Sequence, residues 1–278
     1  MTFAAVTVGE TLRRARASGI DRLDAQLLLA HVLERPRSWL LAHDDDVLTS
    51  AQAAAAQEML ARRADGEPLA YLTGTKAFHR LMLQVNADVL VPRPDTEVLV
   101  DWALELLACE WPQVRRPRVV DLGTGSGAIA LALKHSHPAA DLLATDVSPA
   151  ALAVARRNAE HLRLDATLLE SDWWEALTGR RFHLVVSNPP YIAGADPHLE
   201  ALRHEPAIAL TPHGDGLAAL RQIVAGASDH LEPGGWLLLE HGFDQAPAVQ
   251  ALLDAAGFLD LRTRSDLGGQ SRCTGGHR

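Results

Sequence analysis

Cysteine is nearly absent: the 278 residues contain two, Cys109 and Cys273. They form no metal or redox spacing, and a reducing, cytoplasmic location is the economical reading. Thirteen histidines are scattered without a ligand pattern, so no metal is expected. Lysine is also scarce, with Lys76 and Lys134 the only two; the richness in alanine and arginine reads as compositional bias. No apolar run approaches the roughly 20 residues of a membrane span, so no membrane partner is expected. Residues 1–10 lack the basic and apolar regions of a secretory leader. Positive charge is in deficit, at a net −9. This weighs against nucleic acid as a direct partner, because phosphate contacts need clustered Lys and Arg. Arg13, Arg14 and Arg16 do cluster, as do Arg35 and Arg37, but each group reads as a solvated helix face. What is present is 47% hydrophobic, enough for a substantial core and two domains.

The most informative segment is Asn188-Pro189-Pro190-Tyr191. It follows the apolar run Phe182–Ser187, which reads as a buried strand. Two consecutive prolines cannot continue a sheet, since each lacks an N–H and fixes its φ. The strand therefore stops with Asn188 at its carboxyl end, where open α/β sheets bind ligands. The prolines free backbone carbonyls to accept. An asparagine oxygen beside a proline carbonyl makes a pair of converging acceptors suited to a planar NH2 group. Tyr191 can cover the flat group held there. Amide and exocyclic amine nitrogens are poor nucleophiles, and fixed acceptors both orient them and stabilise the positive charge that develops on attack. A proline turn without a chemical role is the plainer alternative.

A cofactor site is legible upstream. Arg118–Leu122 reads as a strand running into Gly123-Thr124-Gly125-Ser126-Gly127 and then an apolar helix over residues 128–133. A second strand, Asp141–Asp146, ends in an acid able to accept from both hydroxyls of a ribose. Ser148 and Pro149 then start a helix as cap and first turn. The G-x-G-x-G spacing is not the G-x-G-x-x-G of a dinucleotide fold. Asp121, just before the loop, would repel a pyrophosphate but suit an amino-bearing ligand such as the aminoacyl end of S-adenosylmethionine; loop hydrogen bonding is its alternative role. A third strand, Thr167–Glu170, leads to Asp172 and Trp173, which can bracket an adenine. Trp174 reads as packing.

These residues resemble the PrmC/HemK family of protein-(glutamine) N5-methyltransferases. The matching stretches include residues 91–97, 121–130, 171–173 and 187–192, Glu205-Pro206, residues 214–217 and 233–235, and Asp266-Leu267-Gly268. The glycine loop and the Asn-Pro-Pro-Tyr box are shared with many amino-methyltransferases; the Pro92-Arg93-Pro94-Asp95-Thr96-Glu97 and Glu205-Pro206 segments are more specific. His79-Arg80, His213 and the ending Cys273-Thr274-Gly275-Gly276-His277 depart from the pattern.

The resemblance implies a Rossmann-like seven-stranded methyltransferase domain with a small N-terminal helical domain. It implies S-adenosylmethionine contacts at Gly123, Thr124, Gly125, Ser126, Gly127, Asp146, Trp173 and Asn188. It implies that Asn188, Pro189, Pro190 and Tyr191 hold the substrate, the glutamine of a Gly-Gly-Gln motif in a peptide-chain release factor. Arg93, Thr96 and Glu97 are expected to close over the methionine end of the cofactor.

The expected organisation is a helical, substrate-recognising domain over residues 1–66, a β-hairpin linker over 67–91 and a methyltransferase domain over 92–278. Residues 7–63 carry helix signals, with Asp21 a cap and Pro36 an interruption. Strand and helix then alternate. Residues 234–240 read as the fifth strand, and residues 258–264 with 272–274 as an antiparallel closing pair. The nearest rival function is an N6-adenine or other exocyclic-amine nucleic-acid methyltransferase, whose box would grip a flipped base. A cofactor-holding adaptor and a dehydrogenase are weaker, because neither uses residues 188–191.

Overall fold

Residues 6–278 are described by the computed structural model; residues 1–5, where the reading for a leader begins, lie outside them. The chain divides into two compact units, Met1–Thr75 and Lys76–Arg278. The boundary between them falls at the start of the hairpin.

The first unit is helical: α1 (Val8–Ala17), α2 (Arg22–Leu33), α3 (Arg37–Leu40), α4 (Ser50–Ala64) and α5 (Leu69–Thr73). Side chains set the starts. Thr7 accepts from Glu10 N, Asp21 accepts from Leu23 N, and Thr49 with Gln52 forms a capping box. Helix α2 ends in a left-handed Glu34, two residues before Pro36. The arginine clusters are exposed. Among the described residues no helix is long and apolar enough to cross a membrane.

A hairpin follows at the boundary, β1 (Thr75–Phe78) and β2 (Leu81–Gln84). A sheet of seven strands follows: β3 (Arg118–Leu122), β4 (Asp141–Asp146), β5 (Thr167–Glu170), β6 (Phe182–Ser187), β7 (Leu231–Glu240), β8 (Leu259–Ser265) and β9 (Ser271–His277), in the order β5-β4-β3-β6-β7-β9-β8. Strands β3 to β7 pair in parallel, and β9 runs antiparallel to β7 and β8. This is the expected alternation with its antiparallel close. The helices are α6 (Glu97–Cys109), α7 (Ala128–Ser136), α8 (Pro149–Leu162), α9 (Ala207–Leu210), α10 (Ala218–His230) and α11 (Ala246–Ala255).

Strand residues alternate between two cores, as the period of two requires. Val119, Leu142, Leu184, Val186 and Leu238 pack with α6 and α7 on one face. Val120, Leu143, Val185, Leu237 and Leu239 pack with α10 and α11 on the other. Both faces are covered, so the strands are continuous apolar runs. From β3 the chain steps one way to β4 and later returns to β6 on its other side. The carboxyl ends beside that reversal are where a ligand crevice forms.

Candidate active site

The glycine loop leaves β3 at this crevice. Gly123, Gly125 and Gly127 take φ of +72°, +55° and +84°, a region open to glycine at little cost. With Thr124 and Ser126, the first two line a cavity of about 270 Å³. Gly127 does not line it. It caps α7, and a Cβ there would sit 3.0 Å from Leu131 Cδ1, so its smallness serves loop-to-helix packing. Asn158 on α8 braces the loop from behind. It is fully buried, its Nδ2 donates to Ser126 O and Gln84 O, and its Oδ1 accepts from Gln84 N.

Asp146 closes β4 and lines the cavity. Gly125 N donates to its Oδ2 at 2.8 Å and Ser148 N to its Oδ1 at 2.9 Å. Burial raises its pKa, against these backbone donors. Each carboxylate oxygen retains a lone pair for a further donor. Trp173, at φ +44°, also lines the cavity with Asp172. Trp174 turns into the core, where its Nε1 donates to Ile223 O and its ring stacks on His230.

Asp121 is fully buried and is not part of the cavity wall. Its Oδ2 accepts from Thr124 Oγ1 at 2.7 Å and Ala130 N at 3.2 Å, while Oδ1 has no partner. Burial pushes its pKa up to about 7. Its visible work is the alternative one, hydrogen bonding within the loop.

Asn188 and Pro190 line the cavity; Pro189 and Tyr191 do not. Asn188 Nδ2 donates to Thr96 Oγ1 at 3.1 Å, which leaves Oδ1 as the free acceptor of that amide. Pro189 is buried. Tyr191 packs against the core beneath β7, its hydroxyl donates to Glu240 Oε1 at 3.4 Å, and burial raises its pKa. Glu240 is 1% exposed, and burial raises its pKa to about 7 against the Thr96 and Tyr191 hydroxyls.

The segment over residues 91–97 is drawn in by Glu205. Its Oε2 accepts from Val91 N at 3.0 Å and its Oε1 pairs with Arg93. Arg93 and Thr96 line the cavity, whereas Glu97 turns away and accepts from His79 N at 2.8 Å. The expectation that Glu97 closes over the ligand is corrected: helix α6 begins there and aims its first side chain at the hairpin. His79 and His213, which depart from the family pattern, take φ of +51° and +61°. His213 thus holds a conformation that glycine adopts more easily.

Sequence reasoning gave Asn158 and Glu240 no role. The signal for Glu240 was a lone acid ending an apolar strand; Asn158, in a helix face, offered none.

A glycine loop and an acid at the ends of adjacent parallel strands, with an acceptor box on the next strand, define an S-adenosylmethionine-dependent methyltransferase. Family models described as PrmC N-terminal domain and Methyltransferase small domain match residues 7–74 and 96–254. The chain is 52% identical over 270 residues to the release factor glutamine methyltransferase of Burkholderia pseudomallei, covering 94% of this chain and 93% of the relative. It is 44% identical over 268 residues to that of Escherichia coli, covering 95% of each. The chain belongs to the release factor glutamine methyltransferase family. Its fold is similar to a solved T. thermophilus 16S rRNA N2 methyltransferase, at TM-score 0.54 and 22% identity over 73% of this chain and 49% of that one. A Pyrococcus furiosus methyltransferase aligns at TM-score 0.53 and 18% identity, over 80% of this chain and 98% of that one.

Proposed function

We infer that the protein methylates the side-chain amide nitrogen (N5) of a glutamine in a peptide-chain release factor, the glutamine of its Gly-Gly-Gln motif. The observation that carries this reading is the free Oδ1 of Asn188, held at a strand end on the wall of the cavity. When bound, S-adenosylmethionine supplies a methyl carbon made electrophilic by the adjoining sulfonium, its S–C bond breaking as the N–C bond forms.

The residues present fit that cofactor. Gly123, Thr124, Gly125 and Ser126 offer an open backbone wall without side-chain bulk at the glycines. Asp146 would take the ribose hydroxyls with its remaining lone pairs, and Trp173 would cover the adenine. Gly127 contributes by shaping the loop. Arg93 and Thr96 would border the methionine end.

Asn188 Oδ1 and the Pro189 carbonyl would accept from the two hydrogens of the glutamine NH2. They orient its nitrogen and stabilise the positive charge that grows on it. Pro190 and Tyr191 would shape the surface against the amide plane. The surplus proton passes from nitrogen to water, so no dedicated base is required. The helical unit would recognise the body of the release factor, in the cytoplasm where translation ends. The net charge of −9 favours a protein partner over nucleic acid.

The test is mass spectrometry of a purified release factor incubated with the protein and S-adenosylmethionine. One added methyl on the Gly-Gly-Gln glutamine is expected. No addition, with cofactor binding shown in the same sample, would overturn the reading and direct the assay to exocyclic amines of DNA and RNA.

A further inference from the structure

The two prolines at the centre of the acceptor box leave it without anchors of its own. Each fixes its own φ, and Pro189, which precedes a proline, is held extended. Neither has an N–H with which to tie itself to a neighbour. Residues 189–190 therefore form a stiff rod, and a stiff rod is aimed by its two ends. The upstream end is fixed in the sheet. Ser187 on β6 lies opposite Leu122 on β3 and Leu239 on β7, and its hydroxyl donates to Leu122 O at 2.7 Å.

The downstream end leaves the sheet, and side-chain chemistry holds it. Gln245 Nε2 donates to Tyr191 O at 3.0 Å, and Oε1 of the same amide accepts from Gly242 N at 2.8 Å. These two partners fix which way the amide faces, because a backbone carbonyl only accepts and a backbone N–H only donates. Gln245 stands at the start of α11. Its backbone carbonyl accepts from Val249 N at 3.0 Å, and Val249 and Leu253 are fully buried. The donor is thus carried by a packed helix. Gly216, at φ +79°, also lies against this bond: a Cβ there would stand 2.4 Å from Tyr191 O and 3.1 Å from Gln245 Nε2. Ile192 N donates to Leu210 O at 3.0 Å, which ties down the residue that follows the box. Gln245 does not line the cofactor cavity.

We propose that Gln245 is a positioning residue that, through the Tyr191 carbonyl, fixes the exit of the acceptor box and so aims the Pro189 carbonyl at the substrate amide. This rests on the box gripping that amide, as read above. Gln245 itself needs to touch neither the glutamine nor the cofactor.

The experiment is steady-state kinetics of the full chain with a release factor as substrate, comparing Q245E and Q245M with the wild type. Q245E keeps an oxygen for Gly242 N, but an ionised carboxylate has no hydrogen for Tyr191 O. Q245M keeps the length of the side chain and loses both bonds. Each is expected to lower kcat by roughly 10–100-fold, the scale of a misplaced reactive group. KM for the release factor should stay within about threefold, because the lost interaction acts on the transition state. Cofactor affinity, measured by titration calorimetry without release factor, should also stay within about threefold, since Gln245 is remote from that ligand, and this shows that the variants fold. A merely structural role would lower the melting temperature and leave kcat as it was. Wild-type kcat in Q245E beside a loss in Q245M would place the effect in the Gly242 turn and overturn the proposal. Wild-type kcat in both, a loss confined to KM, or a loss of cofactor affinity in step with kcat would overturn it as well. N188A in the same assay separates the two levels. If N188A is inactive while the Gln245 variants are not, the positioning role alone fails. If N188A retains full turnover, the grip itself fails, and the positioning role with it.

Discussion

Arg93 and Glu205 lie 112 residues apart in the chain and meet as an ion pair beside the cavity. The Glu205 side chain is 2% exposed, and it also accepts from Val91 N. One buried carboxylate thus ties the Pro-Arg-Pro segment to the turn before α9. Removing it by Glu205→Ala leaves a guanidinium and a buried N–H without their acceptor. The expected cost is about 3 kcal/mol of stability, with cofactor binding about tenfold weaker as Arg93 and Thr96 lose their fixed place. Thermal melting and calorimetric titration check both; an unchanged cofactor affinity would show that this segment does not border the ligand.

Asn188→Ala deletes the free acceptor and leaves the strand end intact. Turnover on release factor should fall by about a hundredfold or more, while cofactor affinity stays within a few-fold. Single-turnover kinetics with independent cofactor titration separate the two effects. Near-normal turnover would remove Asn188 from the chemistry.

Asp121 makes the stability of the cofactor-free protein depend on pH. Burial holds its folded pKa at about 7, above an unfolded value of about 3.9. Between those values the folded state binds more protons than the unfolded state. This contribution is therefore fully present below about pH 4 and is lost as pH rises through about 7. Glu240 is shifted to about 7 by the same cause, so the two carboxyls act in one window. Asp121→Asn should flatten the decline in melting temperature between pH 5 and 7 by about half, since asparagine can still accept from Thr124 and Ala130. A decline as steep as that of the wild type would exclude Asp121 as a source.

Gly226 on α10 faces the indole of Trp174. A Cβ there would stand 2.3 Å from Trp174 Cδ1 and 2.5 Å from its Nε1. The ring is held by its bond to Ile223 O and by His230, so it has little room to move. Gly226→Ala should cost about 2 kcal/mol by overpacking, seen as a melting temperature lower by roughly 4–8 °C. A change below about 1 °C would mean that the indole repacks freely.

Much of this architecture was legible because burial on both sheet faces writes strands as unbroken apolar runs. Residues 118–122, 141–146 and 182–187 needed no partner to be recognised. The helical caps at Thr7, Asp21 and Thr49 act within a few residues of themselves, and Asp21 could be read directly. The glycine loop was legible as a backbone device, but the division of labour inside it was not. Gly127 looks like Gly123 and Gly125 in sequence, and only the approach of Leu131 assigns it to packing. Glu97 shared a motif with Arg93 and Thr96, yet the helical rotation at the start of α6 turns it to the hairpin.

The sequence by itself determined the alternation of strands and helices, the stop at Asn188 and the acid at Asp146, because each depends on local patterning or on proline's missing N–H. Only the tertiary structure decided which polar groups meet. Asn158 with the glycine loop, Glu205 with Arg93, and Glu240 with Tyr191 are contacts between distant segments. Their partners are set by strand order and register, and a buried polar group must find its hydrogen bonds in three dimensions.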